Sequence, residues 1–354
     1  MMDGLFKRAL RGEKTERRPL WMLRQAGRYL PEYRELRKDY NFEAMSLNPQ
    51  LAAEVTLQPI ERFNFDAAVI FADIMSPVRA LGVPFRFDPG PVLESPLRSR
   101  EDIRDLPTPE REEIAPEVPQ TLAIVKKSLE ERSQRRGEPR VALVGFAAAP
   151  LTLACYLIEG KGNRDFPALR GLLASDPVIF GELLAKVTEL TIEYLRAQYA
   201  AGADVVQLFD SWAGTLSAAD WEAHVEPHLR ALCEQLQEDG IPTILFANGA
   251  AHLSPRYLAL PSTGNQFCWR TDLAAMRQIT GPVAEGGKIL QGNLDPAALL
   301  AGPEATVAAA ERVLKHVPHH GHIFNLGHGI DKNTSLEAVA ALVETVRSEH
   351  RADD

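Results

Sequence analysis

The chain has 354 residues, 45% of them hydrophobic and 25% charged, with a formal net charge of −9 at pH 7. That apolar content suits a large folded core and excludes a disordered chain. The acidic balance argues against a general binder of nucleic acid or of acidic membranes.

The first segment breaks the acidic trend: residues 1–40 carry 11 Lys and Arg against 6 Asp and Glu. Such a run is either a solvated arm or a local anion site. It lacks the apolar core of a signal peptide, and no apolar run reaches the ~18 residues of a membrane span, so a cytoplasmic protein is expected. A first strand is predicted over 20–23 (LWML), and Pro31 then opens a helix that sets Arg34 and Arg37 three apart on one face. A helix over 50–62 leads to a second strand over 67–72 (AAVIFA). The Pro- and Glu-rich stretch 89–117 reads as an elaborated loop, followed by a helix over 116–134 and a strand over 141–147. Residues 148–176 are long for a strand-to-helix connection, and long loops tend to carry function. Next comes a helix over 177–201, with Asp176-Pro177 as its start and Gly202 as its stop. A strand over 204–209, a helix over 218–238, strands over 242–247, 263–268 and 288–291, a helix over 303–315, a strand over 322–325 and a helix over 335–348 complete the chain.

Eight short, β-branched or aromatic runs alternating with helices predict a single (β/α)8 TIM-type barrel over residues 1–354, elaborated at the C-terminal rim. A doubly wound sheet is the alternative. It is weakened because no Gly-x-Gly-x-x-Gly turn follows the first strand. Three scattered cysteines, Cys155, Cys233 and Cys268, suit a reducing compartment.

In a barrel, reactive groups project from the C-terminal strand ends. Those ends carry in turn Arg24 and Arg28; Asp73; Pro150 and Tyr156; Asp210 and Ser211; Asn248; Trp269 and Arg270; Gln291, Gly292 and Asn293; and Gly327, His328 and Gly329. Arg24 and Arg28 imply a polyanionic ligand, or internal pairing with acids such as Asp66 or Glu61. Each residue also has an ordinary reading. Asp73 could cap a turn, Tyr156 could be packing, Asp210 could be a salt-bridge partner, and Cys268 could be core. Glycines beside His328 would admit a ligand closely. His316, His319, His320 and His322 form a metal-like cluster, but at the opposite rim.

The run Pro19-Leu20-Trp21-Met22-Leu23-Arg24-Gln25-Ala26-Gly27-Arg28-Tyr29-Leu30-Pro31-Glu32-Tyr33 closely resembles the N-terminal signature of uroporphyrinogen decarboxylases. Gly145 to Tyr156 (GFAAAPLTLACY) resembles a second signature. Phe71-Ala72-Asp73-Ile74, Phe209 to Gly214, Gln291 to Pro296 and Asn325 to Ile330 match in order and spacing, so the similarity spans nearly the whole chain. It implies a homodimeric barrel that converts the four acetate arms of uroporphyrinogen III to methyls, giving coproporphyrinogen III in porphyrin and haem biosynthesis. By resemblance, Arg24, Arg28 and Arg37 bind substrate carboxylates, and Asp73 accepts hydrogen bonds from the pyrrole N–H groups. Tyr156, Ser211 and His328 make further contacts, Phe42 walls the pocket, and Gln25, Ala26 and Gly27 line it. Asp73, Arg24, Arg28, Tyr156 and His328 are the expected catalytic group.

The chemistry is consistent with that set. A protonated pyrrole ring is its own electron sink, so no cofactor or metal is expected. Asp73 would be the fixed anion facing the positive charge that develops. Arginine is a poor acid, so the proton source stays open among Arg37, Tyr156, His328 and a bound water. Ala148, Leu151, Cys268 and residues 331–335 depart from the usual pattern without removing a site residue. Two rival readings share the barrel or the ligand. A zinc- and corrinoid-dependent methyltransferase needs a His-x-Cys pair where this chain has Phe246 and Asn248. A non-catalytic tetrapyrrole carrier would have no need of Asp73 and Tyr156.

Overall fold

The computed structural model describes residues 3–88 and 90–349. It contains β1 (Ala67–Val69), a hairpin of β2 (Phe85–Phe87) and β3 (Pro91–Leu93), then β4 (Ala142–Ala148), β5 (Val205–Asp210), β6 (Thr243–Ala247), β7 (Gly264–Phe267), β8 (Ile289–Leu294) and β9 (His322–Leu326). Apart from the hairpin, these form one curled parallel sheet in the order β1-β4-β5-β6-β7-β8-β9.

The eighth position belongs to the predicted first strand, which is shorter than the reading over 20–23. Leu20 makes a single parallel bridge to Phe324. On the β9 side, Phe324 N–H donates to Pro19 O at 2.8 Å. On the β1 side, Asp66 N–H donates to Leu20 O at 2.9 Å, and Asp66 Oδ2 accepts Leu20 N–H at 2.8 Å. The chain then leaves the sheet because Met22 to Gln25 close a turn, with Gln25 N–H on Met22 O at 3.0 Å. A barrel of (β/α)8 type results, closed by hydrogen bonds at Pro19, Leu20 and Trp21 rather than by a full strand.

Most positions of the sheet strands are buried, as expected for parallel strands covered on both faces. The barrel interior also holds a polar layer. Gln291 Nε2 donates to Gln207 Oε1 (3.1 Å) and Gln266 Oε1 (2.7 Å), Gln207 Nε2 donates to Gln266 Oε1 (2.5 Å), and Trp21 Nε1 donates to Gln291 Oε1 (3.0 Å). These amides satisfy one another in place of water.

Helices Pro49–Phe63, Glu117–Arg136, Pro177–Ala200, Pro303–His316 and Leu336–Arg347 follow the predicted pattern. The helix expected over 218–238 is two, Ala218–His224 and Glu226–Glu238, broken at Val225 where Pro227 enters the first turn of the second. The elaborated loop holds β3 and short helical turns, and residues 148–176 hold helices Pro150–Glu159 and Pro167–Ser175.

Several alternatives resolve at this level. Asp66 pairs with Arg17 at 2.7 Å and Glu61 with Arg132 at 3.2 Å, so neither neutralises Arg24 or Arg28. Among the described residues Asp210 has no salt-bridge partner. It accepts from Thr152 Oγ1 (2.9 Å) and Tyr257 Oη (2.5 Å), and burial pushes it up to about 6. His322 is buried between Arg18 Nη1 and Gly292 O, and His320 bonds Gly12 O. Among the described residues no three His, Cys, Asp or Glu side chains converge as metal ligands. All three cysteines are free and buried, and no helix among the described residues is long and apolar enough to cross a membrane.

Asp66 therefore fastens the closing segment through both oxygens and its own N–H. Asp66→Ala is expected to lower the unfolding free energy by about 2–3 kcal/mol in urea titrations. Asp66→Asn, which keeps an acceptor for Leu20, should cost less. Wild-type urea midpoints in both variants would contradict this role.

Candidate active site

Arg24 stands at the third position of the Met22–Gln25 turn with φ 62°. Glycine or asparagine is the low-strain choice there, and an arginine costs on the order of 1 kcal/mol. Gln25 holds the strain in place. Its side chain is fully buried, accepts from Met22 N–H (3.1 Å) and donates to Ala67 O (2.9 Å). The expectation that Gln25 lines the pocket is corrected here: its amide is used up inside the wall and positions the turn. Ala26 and Gly27 are half-buried in the same loop.

The turn projects Arg24 into the mouth, and the β9 end makes room for it. A β-carbon on Gly329 would collide with the Arg24 side chain, and one on Gly327 would collide with the Trp269 backbone. The glycines beside His328 thus admit protein atoms. The role read for them from sequence was ligand access.

Asp73 follows β1 by four residues, because β1 ends at Val69 rather than at 72. Its turn-capping reading is seen directly. Its Oδ1 accepts Met75 N–H at 2.8 Å, bracing the turn, and the side chain remains half-buried at the cleft. Burial pushes its carboxyl up to about 6, while the Met75 N–H, Arg24 and Arg79 pull the other way. Arg79 was not singled out from the sequence. It pairs with Glu43 at 2.7 Å and lies over the Phe85 ring, 4.5 Å from its centroid.

Arg24 is exposed to solvent yet enclosed by the cleft walls. Burial and the charge of Arg28 lower its pKa, and Asp73 and Tyr156 act in the opposite sense. Arg24 and Arg28 make no ion pair among the described residues. Arg37, on helix Pro31–Asp39, is exposed and donates to Tyr40 O at 2.7 Å. Burial raises the Tyr33 phenol, and the charges of Arg37 and Arg28 offset part of that.

Tyr156 projects from helix Pro150–Glu159. Burial raises its phenol and the Asp73 charge adds to this, so it stays protonated. Its ring meets Trp212 edge-on at 6.3 Å, and Trp212 is a second residue that sequence reading left aside. Ser211 is half-buried at the end of β5. His328 is half-buried, and burial with the charges of Arg24 and Arg270 lowers it to about 4. Near pH 7 it is a neutral imidazole. Phe42 closes one flank, packed on Phe71 (5.4 Å) and Phe87 (4.9 Å).

The structure thus brings Arg24, Arg28, Asp73, Tyr156 and His328 to one mouth: unpaired cations around a desolvated carboxylate, beside a protonated phenol and a neutral imidazole. Such a site suits a ligand with several carboxylates that becomes transiently positive at its centre.

The uroporphyrinogen decarboxylase (URO-D) family profile matches residues 2–349. The uroporphyrinogen decarboxylase of Carboxydothermus hydrogenoformans is 42% identical over 348 residues, covering 98% of this chain and 96% of that protein. That of Coxiella burnetii is 42% identical, covering 98% and 95%. A methyltransferase from Methanosarcina mazei has the same fold, with a TM-score of 0.81 at 20% identity over 98% of this chain and 99% of its own. With its near full-length relatives, this chain belongs to the uroporphyrinogen decarboxylase family.

Proposed function

We propose that the protein decarboxylates the four acetate arms of uroporphyrinogen III to methyls, yielding coproporphyrinogen III. The observation that carries this reading is the joining of unpaired Arg24 and Arg28 to Asp73 in one cleft, on a chain of this family.

Each cycle consumes one proton and releases one CO2. Protonation of the pyrrole carbon beside an acetate arm makes the ring cationic. The C–CO2 bond then breaks and its electron pair moves into the ring. A proton added to the former acetate CH2 completes the methyl, and loss of the first ring proton restores the pyrrole. Asp73, mostly ionised near pH 7, faces the cationic ring, and its desolvation strengthens that attraction. Arg24, Arg28 and Arg37 hold the arms that are not reacting. His328, being neutral, is no imidazolium donor. Tyr156 is the protonated side chain whose phenol feels both Asp73 and Arg24, and it is the side chain we assign to proton delivery.

The methyltransferase reading loses support at β6. Phe246 packs on the Phe209 ring at 5.9 Å and Asn248 follows the strand, so neither position of the required His-x-Cys pair carries a zinc ligand. Free, buried cysteines suit a cytoplasmic location, and family membership suits a homodimer.

Incubation of the purified protein with uroporphyrinogen III under reducing conditions should give hepta- to tetracarboxylate products by mass spectrometry. No loss of carboxyls would sink the reading. Sedimentation of the same sample should give a two-chain mass, and a one-chain mass would remove the homodimer.

Asp73→Asn should lower kcat about 10²–10³-fold. It should also raise stability at pH 8. The folded state holds the Asp73 proton more tightly than the unfolded state. The Asp73 contribution is therefore most favourable below the ordinary carboxylate value and is lost as pH rises through about 6. The gain in urea midpoint should vanish by pH 4. In the wild type, kcat/KM should fall on acidification with a midpoint near the Asp73 value of about 6. Arg24→Gln should move that limb upward, and a limb unmoved in Arg24→Gln would contradict the pairing.

A further inference from the structure

The proposed reaction gives no task to the side chains after β7. The Arg270 guanidinium lies over the Trp269 indole, with Cζ 4.1 Å from the ring centroid. The His328 ring meets the same indole at 6.2 Å and 75°. A β-carbon on Gly249, at the β6 end, would sit 3.8 Å from Arg270 Nη1. Arg270 is thus stacked on Trp269, beside the turn that follows β6. It is exposed and makes no hydrogen bond or ion pair among the described residues.

A lone surface arginine gains most by moving freely in solvent. Here the cation–π contact holds the guanidinium plane and leaves its edge donors free. That is the geometry of a preorganised carboxylate fork, which a lysine cannot reproduce. Its place in the ring matters as well. With the Leu20 segment in the eighth position, β7 lies across the barrel from β1, and so across the mouth from Asp73. Arg24 and Arg28 rise from the side next to β1.

We infer that Arg270, braced on Trp269, forms a second carboxylate-binding station. It holds a propionate or acetate arm on the β7 side of the mouth and helps set which arm lies over Asp73. The inference rests on the decarboxylase reading for the identity of its ligand. Arg270 acts here as a specificity-determining contact.

The test compares wild type, Arg270→Gln and Arg270→Lys, with uroporphyrinogen III kept reduced. Turnover is followed by mass spectrometry and binding by quenching of tryptophan fluorescence. Arg270→Gln should raise KM and Kd about tenfold and lower kcat less, since it removes a charge-assisted contact made before chemistry. Arg270→Lys should recover part of the affinity, and partly decarboxylated products should build up in both variants. A wild type that binds in an Arg270-dependent way but releases no CO2 would sink the decarboxylase reading and leave the station standing. Equal Kd, KM and product distributions in all three proteins, or no binding by the wild type, would overturn the station.

Discussion

The site depends on how one short segment is pinned between β9 and β1. Leu20 is shared between Phe324 and Asp66, and Asp66 is itself held by Arg17. Two residues later the chain turns, and the buried Gln25 amide ties that turn to Ala67. Only with these constraints does Arg24 stay in a left-handed conformation that an arginine avoids. Ile330 N–H, donating to Leu23 O at 3.0 Å, brings the β9 loop onto the same segment. His328 and Arg24 are therefore placed by one set of backbone contacts. A loss of stability near Asp66 and a displaced arginine would be two effects of the same disturbance.

Electrostatics turns that scaffold into a site. The protein is acidic, at −9, yet its mouth gathers cations without acidic partners. Such a mouth draws polyanions from solution, and the attraction weakens with salt. Asp73 is the exception within it. Burial disfavours its charge, and the Met75 N–H, with Arg24 and Arg79, offsets part of that, leaving the group near half-ionisation at about pH 6. Burial, with the charges of Arg24 and Arg270, lowers His328 and keeps its imidazole neutral. One arrangement thus yields an anion, a neutral base and a retained phenol proton side by side.

Much of this was legible in the sequence. β4, β5 and β6 could be read because buried parallel strands are largely apolar runs, and the helix over 177–201 carried clear periodicity with a start and a stop. The signature motifs pointed to Arg24, Asp73, Tyr156 and His328. What the sequence hid was two-body information. A four-residue apolar run looks like a strand, and nothing in LWML says that only Leu20 will bridge. Gln25 looks like a lining residue until its amide is seen to bond Met22 and Ala67. Gly327 and Gly329 suggested ligand access, whereas their neighbours are Trp269 and Arg24. Arg79 stood outside the quoted motifs, and Trp212, inside one of them, had no role until folding set its ring against Tyr156.

The proposed chemistry needs Asp73 to be a desolvated carboxylate whose charge the Met75 N–H and Arg24 partly restore. Carbon-13 NMR titration of aspartate-labelled protein tests it without relying on turnover. The account predicts a carboxyl resonance with a midpoint near 6 that disappears in Asp73→Asn. A resonance lost in Asp73→Asn but titrating at the ordinary aspartate value of about 3.9 would contradict it.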